Sequence, residues 1–124
     1  MVNSIEYMLC VMNTLITEYR SLPTDSDYLQ DTGPNYRKCE IIRELDEIAN
    51  DHEVSELLLE ILKNPLEFDL ARVEAIQVAG IYIKPNNPLA KQIKEELRRI
   101  AECDDDEMLM GWAQRYVELP HENA

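Results

Sequence analysis

The stretch LLLEILKNPLEFDLARVEAIQVAG, residues 57–80, reads as a helix, a break and a second helix. Leu57, Leu58, Ile61 and Leu62 recur at the three- and four-residue spacing of one helical face, and Val54 extends the stripe backwards. Asn64-Pro65 ends this helix, because proline disfavours helical backbone in the residue before it. Asp51 is a candidate cap at its start, and Lys63 is its last residue. The next helix runs from about Asp69 to Ile83 and carries Leu70, Val73, Ile76, Val78, Ala79 and Ile81. These leave almost no polar face, and a helix apolar nearly all round belongs in the centre of a fold. Gly80 lowers helix stability by about 1 kcal/mol against alanine, so it marks either the close approach of another helix or a fraying end. Ile81-Tyr82-Ile83 is a candidate strand, but nothing else in the chain offers it a strand partner.

Outward from this pair the same period continues. A helix over about Asn3–Arg20 has Asn3 and Glu6 at capping-box spacing and a stripe of Ile5, Met8, Leu9, Met12, Leu15, Ile16 and Tyr19. Cys10 lies in that apolar stretch and is expected to pack as a small hydrophobe. Residues 21–35, SLPTDSDYLQDTGPN, read as an acidic loop, with Pro23, Gly33 and Pro34 opposing a long helix. A helix over about Tyr36–Asn50 turns Ile41, Ile42, Leu45, Ile48 and Ala49 inward. After KPNNP, Asn87 caps a fifth helix with Pro88 at its first position, and the helix continues to about Glu102 through Leu89, Ile93, Leu97, Ile100 and Ala101. Asp104 is the expected cap of a sixth, whose apolar face is Met108, Leu109, Trp112, Ala113, Tyr116 and Val117. Pro120 stops it. No alternating apolar–polar run is present, so the fold class is all-α with about six helices.

Sliding the sequence by 38 residues superposes Leu59 on Leu97, Leu62 on Ile100, Asp69 on Glu107, Leu70 on Met108 and Ala75 on Ala113. A helix pair of this length cannot bury its apolar faces alone, whereas stacked pairs form a continuous core. With its Leu-rich helix, Asn-Pro break, acid and following Val73, Ala75 and Ala79, the stretch 57–80 resembles a HEAT-like α-helical repeat. Glu74 stands where that family usually carries arginine or lysine. The resemblance covers residues 36–118 and implies antiparallel pairs stacked as an α–α superhelix. The chain is then a single domain, 1–124, with 1–20 as a capping helix, 21–35 as the acidic loop and 119–124 as a tail.

Charge narrows the function classes. Twelve Lys and Arg face 25 Asp and Glu, a net charge of -13. Residues 1–62 hold 13 acids and 4 bases, so the N-terminal half is the more negative. Such a field repels phosphate backbones and attracts basic proteins. Lys91, Lys94, Arg98 and Arg99 form a local basic cluster, but Glu95, Glu96 and Glu102 stand within pairing distance along the same helix. No nucleic-acid partner is expected. Three scattered cysteines, Cys10, Cys39 and Cys103, make neither a disulfide framework nor a CxxC zinc pair. With no signal peptide or membrane span evident, a reducing cytoplasm is the expected compartment.

Catalysis needs ionisable groups that converge in a cleft. The two histidines, His52 and His121, lack metal-site spacing, and no GxSxG or glycine-rich phosphate loop occurs. The run DDDE at 104–107 lacks the spacing of a calcium loop and reads as a helix cap. No enzyme activity, metal or cofactor is expected. The 38-residue shift makes Asp31, Asp69 and Glu107 equivalent, and likewise Glu67 and Asp105, so stacked pairs would align these acids along one edge. Asp25, Asp27 and Tyr28 in the loop complete the candidate partner-binding set.

A short, acidic, HEAT-like chain also resembles immunity proteins of bacterial toxin systems, such as those of contact-dependent inhibition. The resemblance lies in size, charge and helical character. It implies a protein that neutralises a cognate basic toxin, a nuclease for instance, by covering its active or substrate-binding surface. The alternative is a non-catalytic helical-repeat adaptor within a larger assembly.

Overall fold

The computed structural model describes residues 4–22, 33–48, 52–81 and 87–118. Six helices account for most of them: α1 (Ser4–Ser21), α2 (Gly33–Ile48), α3 (His52–Lys63), α4 (Asp69–Ile81), α5 (Ala90–Cys103) and α6 (Glu107–Glu118). No strand occurs among the described residues, and the fold is all-α. Successive helices pack as pairs, α1 on α2, α3 on α4 and α5 on α6. The pairs stack so that α2, α4 and α6 form one row and α1, α3 and α5 the other. This arrangement is compatible with a helical-repeat architecture. Among the described residues no helix is long and apolar enough to cross a membrane.

The apolar helix α4 is central, as its composition requires. It touches α2, α3, α5 and α6, and Ala71, Val73, Ala75, Ile76, Val78 and Ala79 are all buried. Helices α3 and α5 begin 38 residues apart, as do α4 and α6. Leu59 and Leu97, Leu62 and Ile100, Ala71 and Leu109, and Ala75 and Ala113 are buried in both pairs. Leu57, Ile61 and Ile76 are also buried, whereas their counterparts Glu95, Arg99 and Gln114 are exposed. Pair α3–α4 has a neighbour on each side and α5–α6 on one, so the last pair needs fewer apolar positions.

Several local expectations are corrected. Helix α2 starts at Gly33 rather than Tyr36. Pro34 then sits in its first turn, where a missing N–H breaks no helical bond. Asp106, not Asp104, caps α6, its Oδ1 accepting the N–H of Met108 at 2.8 Å and of Leu109 at 3.3 Å. Asn87 does not cap α5 itself: its Oδ1 accepts the Leu89 N–H at 2.9 Å in the turn before the helix, whose N-cap position is Leu89 and has no side-chain cap bond. Met8, Leu9, Leu70 and Met108 are exposed rather than inward, as is Cys10. Trp112 is only partly buried and carries the Arg115 guanidinium 4.5 Å from its ring centre. Ile5, Ile48, Ala49, Ile81 and Ile83 lie outside the residues whose side chains are described, as do the caps Asn3 and Asp51.

The core contains an ion pair that the apolar pattern conceals. Lys38 on α2 is fully buried and donates to Glu67 Oε1, in the turn between α3 and α4. Oε1 also accepts the Phe68 N–H at 2.9 Å, and Oε2 accepts the Tyr19 hydroxyl of α1 at 3.0 Å. The Lys38 ammonium lies 5.4 Å from the centre of the Tyr19 ring. Burial, reinforced by the Glu67 carboxylate, holds the Tyr19 hydroxyl far above its usual ionisation range, so it acts as a donor. Two helices and one turn meet at this carboxylate.

Removing one partner of a buried ion pair leaves the other charge uncompensated, so Lys38→Met destabilises by about 3–5 kcal/mol, and Lys38→Met with Glu67→Gln recovers much of the loss. Urea unfolding of the two single variants and the double variant tests the coupling, and additive losses would refute it. At Gly80 an added Cβ would meet the Tyr116 ring, its Cγ at 2.9 Å among other atoms. Gly80→Ala therefore destabilises by about 1–3 kcal/mol despite alanine's higher helix propensity, and the penalty vanishes in a Tyr116→Ala background. Thermal melts of the single and double variants check this, and an equal penalty in both backgrounds would acquit the Tyr116 ring.

Candidate functional site

The turn at Glu67 sets the start of α4. Phe68 is buried, and its carbonyl accepts the Arg72 N–H at 3.0 Å as α4 begins, with Asp69 as the helix's first residue. The Arg72 side chain, also buried, reaches out of α4 in two directions. Its Nη2 donates to the Leu62 carbonyl near the end of α3 at 3.1 Å and to Asp104 Oδ2 after α5 at 3.2 Å. Its Nε–H is buried and has no hydrogen-bond partner among the described residues. Asp104 Oδ1 accepts the Asp106 N–H at 2.9 Å, which shapes the short turn into α6. The turns before α4 and before α6 are thus locked face to face.

Between them lies an open cleft of about 470 Å³, bordered by Pro65, Asp69, Arg72, Arg99 and the run Asp104–Asp106. Its two cations already have partners. Arg72 pairs with Asp104, and Arg99 pairs along its own helix with Glu96, at 2.6 Å from Nε. Asp69 feels the surplus of negative charge. Partial burial and the neighbouring Asp106 raise its pKa, Asp104 adds to this, and Arg72 opposes it. Asp105 stands exposed at the mouth, and Glu107 is exposed at the start of α6.

The acids expected to share an edge are therefore divided. Asp69 and Asp105 line one cleft, with Glu107 close by in sequence. Glu67 is corrected: it is 2 % exposed and held by Lys38, Tyr19 and Phe68, so it is withdrawn from any partner surface. Asp25, Asp27, Tyr28 and Asp31 lie outside the described residues. Sequence reasoning misses Arg72 and Lys38. A signal exists for Lys38, which precedes Ile41, Ile42 and Leu45 by three, four and seven residues and so lies on the apolar stripe of α2. A charge on such a stripe must find a partner inside.

The cations of the N-terminal half all turn toward neighbouring elements. Arg20 on α1 grips Glu60 on α3, with Nε 3.2 Å from Oε1. Arg37 on α2 holds Glu18 on α1 through two bonds of 2.7 and 2.8 Å, which lower the Glu18 pKa. Arg43 on α2 reaches Glu74 on α4 at 3.2 Å. With Lys38 on Glu67, all four bases of residues 1–62 bind acids of another element. Burial pushes the Cys39 thiol up to about 11, which keeps it neutral, while Cys103 borders the cleft. Among the described residues no group of His, Cys, Asp and Glu is arranged to hold a metal ion.

The raised pKa of Asp69 has a definite sign in stability. The folded state holds the Asp69 proton more tightly than the unfolded chain, so this group's contribution is fully present below pH 3.8 and is lost as pH rises through the folded value. Asp69→Asn removes that loss. The stability of the variant relative to the native protein should rise as pH increases above 3.8, and the rise should be small because the site is open to solvent. Chemical denaturation across this range is the test, and a difference that falls with pH would show that Asp69 is instead stabilised as the anion.

No family model, curated protein or solved structure matches this chain.

Proposed function

We propose that this protein works by binding a basic protein, with the cleft between the α3–α4 and α5–α6 turns receiving lysine or arginine side chains. One observation carries the reading: Asp69, its pKa raised by partial burial and by its neighbours Asp106 and Asp104, shares the cleft with exposed Asp105, while both arginines there already have carboxylate partners. A cation brought from outside would add to the partial counter-charge that Arg72 supplies. Asp105 at the mouth and Glu107 close to it would meet it first. The surplus of acids over the whole chain acts at longer range, speeding encounter with a positive surface at low salt. In its finer form the proposal is an immunity protein that occludes the substrate surface of a basic toxin domain and needs no chemistry of its own.

A second reading, a helical-repeat adaptor in a larger assembly, is favoured by the uncovered apolar residues at the start of α1.

The test begins with retention of partners from the native cell by the native protein and by the variant Asp69→Lys, Asp105→Lys, Glu107→Lys. The binding reading expects a basic partner that the variant releases. Association with the purified partner should slow by at least ~10-fold in the variant, and its dependence on salt should flatten. Equal affinity and an equal salt slope would remove the cleft from the interface. Co-expression that restores growth to cells producing the partner supports the immunity form, and absence of rescue with retained binding supports the adaptor.

A further inference from the structure

Residues 7–17 of α1, YMLCVMNTLIT, contain no charged side chain in a chain of net charge -13. Met12, Leu15, Ile16 and Tyr19 are buried, which explains the second half of the helix. The first half is different. Tyr7 is 64 % exposed, Met8 42 % and Leu9 44 %, with Cys10 exposed beside them and Val11 only partly covered.

The register of the helices explains why these residues stay uncovered. Arg37–Glu18 and Lys38–Tyr19 join the end of α1 to the start of α2, so this pair runs antiparallel. Arg20–Glu60 sets α1 against α3, eight residues after the first residue of α3, His52. Tyr19 and Arg20, near the C-terminal end of α1, carry bonds to the turn after α3 and to α3, and α1 is the longer helix with 18 residues against 12, so its surplus length falls at its N-terminal end. Helix α2 still runs alongside this end. Counted from Arg37–Glu18, Asp46 and Glu47 stand level with Leu9 and Met8, and both acids are exposed.

The geometry points to a docking site for a basic amphipathic helix on the overhanging start of α1. Its apolar face would cover Tyr7, Met8 and Leu9, and its lysines or arginines would meet Asp46 and Glu47. Charge complementarity selects this occupant over a second copy. Two copies facing each other through this surface would bring Asp46 and Glu47 of each, and two net charges of -13, into one interface. The apolar area of three side chains is also small beside the roughly 800 Å² per partner of a stable protein interface, so added ion pairs are needed to hold a ligand there. The site lies at the first helix of the stack and away from the α3–α4 turn that borders the acidic cleft, so it stands or falls separately from the cleft reading.

The experiment uses the full chain and a fluorescent peptide of about 18 residues, built of leucine and lysine at amphipathic helical spacing, titrated by anisotropy. Saturable one-to-one binding is expected. Met8→Asp with Leu9→Asp should weaken it at least ~10-fold. These side chains are exposed, and thermal melts establish that the variant is folded. Asp46→Lys with Glu47→Lys should weaken binding and flatten its salt dependence, whereas Glu95→Gln with Glu102→Gln, exposed acids of α5 outside both surfaces, should leave it unchanged. Three results overturn the proposal. One is equal binding by the Met8/Leu9 variant. Another is equal weakening by the Glu95/Glu102 variant, which indicates general attraction to an acidic surface. The last is a sedimentation-defined dimer of the native chain that the Met8/Leu9 variant abolishes, which assigns the face to a second copy.

Discussion

The pairing of Lys38 with Glu67 constrains the whole assembly. A lysine with no exposed surface is tolerated only if its ammonium is met, and here a single carboxylate meets it from the turn after α3. That carboxylate is positioned in turn by the Phe68 N–H and the Tyr19 hydroxyl. The first helix pair therefore cannot slide along the second without leaving a buried charge unpaired, at a cost of several kcal/mol. Apolar side chains of equal volume would give similar stability without this restriction. The contribution of the pair is register, and register is what places Asp69.

From Glu67 the constraint passes along the chain. The residue after it is buried Phe68, the next is Asp69 at the head of α4, and three residues later Arg72 ties the end of α3 to Asp104. Asp104 organises the turn that places Asp106 against Asp69. A buried arginine and its carboxylate partner thus fix the relative position of two turns that the 38-residue spacing alone only suggests. The exposed carboxylates of the cleft are not adjacent by accident of surface crowding. They stand on backbone whose position is set from inside.

How much of this is legible in the sequence depends on whether the signal is periodic. Helices α3 to α6 can be read to within about two residues at their described ends, because Leu57–Leu62 and Leu97–Ala101 repeat at helical spacing and Asn64-Pro65 and Asn87-Pro88 mark a break and a turn before a helix. The start of α2 escapes such a reading because Gly33-Pro34 has the composition of a turn, and only context makes it a first helical turn. Equivalence with Asp105 assigns Glu67 to a surface. The repeat relates backbones, however, and it does not force equivalent burial: the partners that draw Glu67 inward are Lys38 on α2 and Tyr19 on α1, whereas the pair α3–α4 offers its buried cation Arg72 to Asp104 and leaves Asp105 exposed. Met8 and Leu9 fit the helical period and are still exposed, since periodicity states which face a residue occupies and not whether a neighbour is long enough to cover it.

The same difference in length connects the two surfaces. Helix α1 has 18 residues and α3 has 12. The ion pairs Arg37–Glu18 and Arg20–Glu60, with the Tyr19–Glu67 bond, all join α1 to its neighbours near its C-terminal end. The mismatch in length therefore accumulates at the N-terminal end of α1, away from the cleft. By anchoring α1 at its C-terminal end, the buried lysine pair and its flanking arginines leave the acidic cleft open and leave an apolar helix end uncovered at the far edge of the stack.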